Sequence, residues 1–152
     1  MQISEKEVNA LITLALETAK ECHRGQKDKG GHDYILHPMA VAEKCSESPC
    51  KVVALLHDVI EDCGETRQSL TQRGFPEWVI EAVWLLTKKG ETEEEYFSAI
   101  ARNPIARLVK LADLSHNSDL TRIANPTDKD LARVKKYQKQ TKLLSHFTGY
   151  EI

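Results

Sequence analysis

The 152-residue chain is 41% hydrophobic and 29% charged, and its 21 basic against 23 acidic residues give a formal net charge of -2. That balance excludes a disordered or low-complexity segment and lacks the global basic footprint of a nucleic-acid binder. No apolar run approaches the roughly 18 residues that a membrane span needs. The start, MQISEKEVNALITLALETAKE, is punctuated by acids and lysines and reads as neither a signal nor a transit peptide. Cys22, Cys45, Cys50 and Cys63 show no C-x-x-C spacing and read as reduced thiols packed on helices, which points to a cytoplasmic protein. One domain over residues 1–152 is expected.

In chain order the periodicity is helical nearly throughout. Val8, Leu11, Ile12, Leu14, Ala15 and Ala19 form one face of a first helix, opened by Ser4 and Glu7 as a capping box. GQKDKGGHDY then breaks the pattern with three glycines. Helix signals return at His37-Pro38, and again at Ser48-Pro49, where serine caps a helix predicted to run unbroken through KVVALLHDVIED. A short segment from Arg67 to Arg73 ends at Gly74, and Pro76 opens the apolar PEWVIEAVWLLT. Thr92 caps ETEEEYFSAIAR, Pro104 starts PIARLVKLADLSHN, and a last helix begins near Asp128. No strand-type alternation of useful length appears. The expected architecture is a compact all-α bundle of roughly seven or eight helices.

Chemistry concentrates in three places. In ALLHDVIED, His57 and Asp58 follow Ala54-Leu55-Leu56, and a carboxylate in so apolar a setting is costly unless it pairs or binds a cation. Helical spacing places Glu61 under His57 and Asp62 under Asp58. In LVKLADLSHN, Asp113 lies among Leu111, Ala112 and Leu114, with Asn117 one turn on. In YILHPMAVA, His37 stands beside an aliphatic stripe. Two imidazoles and two carboxylates make a mixed nitrogen and oxygen site suited to Mn²⁺, Fe²⁺ or Zn²⁺.

The ordered set His37, His57-Asp58 and Asp113 resembles the H…HD…D signature of the HD metal-dependent phosphohydrolase superfamily. The blocks HRGQKDKGGHDYILHPMAVA, ALLHDVIED, GFPEWVIEAVWLLTK and VKLADLSHN are similar to the hydrolase domain of RelA/SpoT enzymes and to stand-alone small alarmone hydrolases. The resemblance implies an HD-type helical bundle that removes the 3′-diphosphate of (p)ppGpp as pyrophosphate, usually with Mn²⁺. It implies His37, His57, Asp58 and Asp113 as metal ligands, Glu61 and Asp62 as the water-activating acidic pair, and Asn117 as a substrate contact beside the metal. It further implies nucleotide contacts from Lys29, Tyr34, Arg133 and Tyr137. Because the substrate is a small polyanion, a basic mouth is expected from Lys29, Arg122 and Arg133.

Asp28 stands where such loops usually carry arginine, and it is expected to face the nucleotide channel and oppose anion binding. Two other readings stay open. One is an HD phosphohydrolase for another nucleotide, such as NADPH losing its 2′-phosphate, which Asp28 favours. The other is a non-catalytic nucleotide-binding domain, against which the intact Glu61-Asp62 pair speaks. Oligomeric state is left open.

Overall fold

The computed structural model of the chain describes residues 3–148. These form α1 (Glu5–Cys22), α2 (Leu36–Lys44), α3 (Ser48–Leu56), α4 (Val59–Cys63), α5 (Arg67–Arg73), α6 (Glu77–Leu86), α7 (Glu93–Ala101), α8 (Pro104–Asn117), a 3-10 turn (Leu120–Arg122) and α9 (Asp128–Thr148). Among the described residues the only β pairing is an isolated bridge between Lys27 and Asp33.

The predicted starts and stops are met by local chemistry. The Ser4 hydroxyl accepts from the Glu7 N–H at 3.1 Å, satisfying one of the donors a helix start leaves unpaired. The return bond from Glu7 that would complete the expected capping box is not made. Thr66 and Thr92 close reciprocal capping boxes with Ser69 and Glu95. Pro104 occupies the first turn of α8, where its missing N–H costs nothing. Gly74, at a φ of 105°, takes the left-handed conformation that ends α5. Ser48 itself lies inside α3, whose N-cap is Glu47, so it is the first helical residue rather than the cap.

The helix predicted to run through ALLHDVIED is broken. α3 stops at Leu56, His57 and Asp58 form a turn, and α4 begins at Val59. In a continuing helix the Ala54 carbonyl would accept from the Asp58 N–H. Instead it accepts from His57 Nδ1 at 2.6 Å and from the His57 N–H at 3.4 Å. A side chain has taken over a helical acceptor, which is how a polar residue competes with its own backbone.

α3 is the central element, packed by α1, α2 and α8, while α9 lies against α7 and α8. Its residues Val52, Val53, Ala54, Leu55 and Leu56 are all buried, joining Leu70, Phe97, Ile100, Leu114 and Leu144 in one core. Each large side chain so buried contributes about 1.5–3 kcal/mol of transfer free energy. The break therefore presents His57 and Asp58 from the end of a helix that cannot shift without disturbing the core. All four cysteines are free thiols, as expected, and burial pushes Cys50 up to about 12. No helix of the described residues is long and apolar enough to cross a membrane.

Candidate metal centre and its cavity

Three elements deliver the cluster: α2 brings His37, the α3–α4 turn brings His57 and Asp58, and α8 brings Asp113. One ligand-type atom from each of His37, His57 and Asp113 lies within 4.8 Å of the others, and all three residues are buried. Asp113 Oδ1 is 2.9 Å from His37 Nε2 and 3.5 Å from His57 Nε2. Asp58 flanks this group, its Oδ2 3.0 Å from His57 Nε2 and 3.9 Å from His37 Nε2.

The donor set fits a divalent cation, and one atom shows it. His57 Nδ1 is committed to the Ala54 carbonyl, so Nε2 is the ring's remaining polar atom. That nitrogen is buried and has no hydrogen-bond partner, although two carboxylate oxygens lie close by. A lone pair facing two carboxylates needs a cation between them. Without a metal, a proton takes that part: burial pulls the His57 pKa down, but Asp58 and Asp113 overcome it and raise it well above the usual imidazole value. The same pairing lowers Asp58 to about 2 against the opposing effect of burial.

Neighbours fix the carboxylates. The Tyr34 hydroxyl donates to Asp58 Oδ2 at 2.6 Å, and burial with that contact raises the phenol well above its ordinary pKa. Expected as a nucleotide contact, Tyr34 thus has its hydroxyl committed to a carboxylate, with its ring left as cavity wall. Asn117 Nδ2 donates to Asp113 Oδ1 at 3.0 Å. Lys110 Nζ lies 3.2 Å from Asp113 Oδ2, with its side chain only 13% exposed. Burial works against both charges, yet the pairing holds Asp113 well below the carboxylate range and Lys110 above the ammonium range.

The cluster floors a cavity of 310 Å³ that Glu61, Asp62, Asn117 and Tyr137 also line. A second cavity of 370 Å³ shares Tyr34, His37, Asn117 and Tyr137 with it and is lined besides by Asp28, Lys29 and Arg133. All the residues singled out for metal, acid-base and nucleotide contacts therefore meet in two adjoining spaces. The Glu61 carboxylate accepts from the Lys88 backbone N–H at 3.0 Å. Asp62 is raised by partial burial and by the like charges of Asp58 and Glu61. Arg133 pairs with Asp130 along α9, and the Arg122 side chain lies outside the described residues. Basic groups that the sequence reading missed are Lys88, Lys110 and Lys136, all lining the metal cavity. Only Lys110 left a signal, standing three residues before Asp113 on one helix face.

Asp28 lines the second cavity, as expected, and also holds its own loop. Its Oδ1 accepts from the Gly30 and His32 N–H groups, each at 2.9 Å, and lies 3.6 Å from His32 Nδ1. One carboxylate oxygen thus organises the backbone of its own loop, while the residue still lines the second cavity beside Lys29 and Arg133. Replacing Asp28 with arginine should therefore raise amide exchange at Gly30 and His32, whereas Asp28→Asn, which keeps an acceptor oxygen, should leave their protection nearly intact. Hydrogen exchange read by NMR checks this.

A helical bundle that converges a histidine, an HD pair and a distant aspartate on one cluster has the arrangement that the H…HD…D resemblance implied. Over about 70% of its length the chain is similar to proteins of the RelA/SpoT family. It is 39% identical over 119 residues to a guanosine-3′,5′-bis(diphosphate) 3′-pyrophosphohydrolase of Aquifex aeolicus, covering 70% of this chain and 17% of that protein. It is 36% identical over 122 residues to the bifunctional (p)ppGpp synthase/hydrolase SpoT of Escherichia coli K12, again 70% and 17%. A probable GTP pyrophosphokinase of Mycobacterium leprae matches at 32% over 130 residues, 77% of this chain and 16% of that one. The chain thus spans less than a fifth of these relatives' length. A solved structure described as a metazoan ortholog of SpoT that hydrolyses ppGpp shares the fold, with a TM-score of 0.70 at 24% identity over 95% of this chain and 88% of that one. No protein-family model matches.

Proposed function

We propose that the chain is a metal-dependent (p)ppGpp 3′-pyrophosphohydrolase, releasing pyrophosphate and leaving GDP or GTP. The observation that carries the reading is the buried, unpartnered His57 Nε2 facing Asp58 and Asp113 at the floor of a cavity that holds two further carboxylates. The relatives' names divide between synthesis and hydrolysis; a metal-type cluster beside Glu61 and Asp62 favours hydrolysis. His37, His57, Asp58 and Asp113 would hold the ion, with Mn²⁺ the assignment this family suggests. When bound, such an ion polarises a phosphoryl oxygen and makes water more acidic. Free thiols at all four cysteines suit a reducing compartment such as the cytoplasm.

The chain's own groups do the rest. Glu61, steadied by the Lys88 N–H, is placed to take the proton from the attacking water. Asp62, whose raised pKa brings it nearer neutrality, is suited to pass a proton to the leaving oxygen. Lys88, Lys110 and Lys136 on one side, and Lys29 and Arg133 on the other, offset the phosphate charge. Glu61→Gln should keep the metal bound while kcat falls by roughly 10²–10⁴-fold, the usual range for a positioned base. Steady-state rates with parallel metal-binding measurements check this, and an intact rate would pass the role to Asp62.

Product analysis tests the reading as a whole. Purified protein with Mn²⁺ is offered ppGpp, pppGpp and NADPH, and phosphate and pyrophosphate are measured separately. Pyrophosphate from ppGpp is the expected result. Phosphate from NADPH alone would overturn the assignment.

A further inference from the structure

His37 has two polar edges, and both are held by α8. Its Nε2 points into the cluster, 2.9 Å from Asp113 Oδ1. Its Nδ1 lies 2.7 Å from Nδ1 of His116, the two rings meeting nitrogen to nitrogen with centroids 5.0 Å apart and planes inclined by only 25°. Two imidazole nitrogens at that distance share a single hydrogen, so one donates and the other accepts. If Nε2 of His37 gives its lone pair to a cation, Nδ1 must keep the hydrogen and donate it. His116 Nδ1 is then the acceptor, and the hydrogen of the His116 ring sits on Nε2.

We propose that His116 is a positioning residue for metal binding: it fixes the tautomer and ring plane of His37, and so raises the affinity of the centre for a divalent ion. The placement is economical, because Asp113 and His116 are three apart on α8 and one turn brings both to the same ring. α2 contributes the ligand and α8 locks it from both edges. His37 is the second residue of α2, and both hydrogen bonds of its ring are made to α8 rather than within α2. A hydrogen-bonded outer partner of this kind typically changes metal affinity by 10–100-fold. The proposal rests on the reading of His37 as a ligand.

The test compares Mn²⁺ affinity by calorimetry in the full chain for wild type, His116→Leu and His116→Gln. Leucine keeps volume without an acceptor and should weaken binding 10–100-fold. Glutamine restores an acceptor oxygen and should recover most of the loss. In the Zn²⁺-loaded wild type, ¹⁵N-edited NMR should show a downfield, hydrogen-bonded Nδ1–H on His37, absent in His116→Leu. Wild-type affinity in His116→Leu, or a glutamine variant no better than leucine, would overturn the proposal. His37→Ala separates the two levels: if it too binds Mn²⁺ as the wild type does, the ligand assignment of His37 has failed. If it loses binding while His116→Leu does not, only the positioning role has.

Discussion

His57→Ala is expected to abolish divalent-metal binding and turnover together, while leaving the protein folded. The His57 Nε2 is one of two buried side-chain nitrogens without a hydrogen-bond partner among the described residues, His23 Nε2 being the other, and it is the one that faces carboxylates in the cluster. Its removal leaves Asp58 and Asp113 with His37 as the imidazole remaining between them, one nitrogen ligand short for a divalent ion. Metal at about 100 times its dissociation constant stabilises the folded state by roughly 2.7 kcal/mol. At roughly 2–4 °C per kcal/mol for a domain of this size, that is about 5–10 °C of metal-induced rise in Tm. The variant should show none. The proton on the metal-free His57 must leave when a metal binds, so wild-type affinity should fall as pH is lowered. Thermal scans with EDTA and with Mn²⁺, repeated at several pH values, check both statements. A retained metal-induced shift in His57→Ala would remove His57 from the ligand set.

The ligand types were legible because each breaks a local pattern. A histidine and an aspartate after Ala54-Leu55-Leu56, and an aspartate between Leu111 and Leu114, are polar groups in positions where burial is otherwise apolar. Helix starts were legible where a cap or proline carries a local mechanism, as at Thr92 and Pro104. The break at His57-Asp58 was not, because it depends on which partner the Ala54 carbonyl takes, and periodicity alone cannot decide that. Glu61 and Asp62 still face the cluster, but from a separate short helix rather than one turn further along α3. The loop bonds of Asp28 were hidden for a related reason: its charge and its place at the cavity were legible, while the two backbone donors it accepts from belong to a turn geometry spelled only weakly by the glycines. Lys88 and Lys136 come from the α6–α7 connection and from α9, and only the packing of helices brings them to one cavity.

Lys110→Met should produce the largest loss of stability of any single change at the site, and the loss should depend on metal. Lys110 is nearly buried, 3.2 Å from Asp113 Oδ2, with its ammonium 5.3 Å from the Tyr96 ring and 5.9 Å from the Phe97 ring. Methionine can fill the space between those rings, so packing is largely kept. The Asp113 carboxylate, however, loses the cation that offsets its burial. Removing one partner of such a pair typically costs about 3–5 kcal/mol, because the other charge is left buried. At roughly 2–4 °C per kcal/mol, that is a fall in Tm on the order of 10 °C in EDTA. A bound divalent ion sits against the same carboxylate and supplies the missing charge, so the deficit should shrink in Mn²⁺. Metal affinity should rise, since a positive neighbour of the site has been removed. Phosphate-bearing substrate loses that same neighbour, so KM should increase while the metal is held more tightly. Chemical denaturation with and without Mn²⁺, set beside calorimetric affinity and KM, separates these effects. Equal destabilisation in EDTA and in Mn²⁺ would mean that Lys110 acts through packing against Tyr96 and Phe97 rather than through the charge on Asp113.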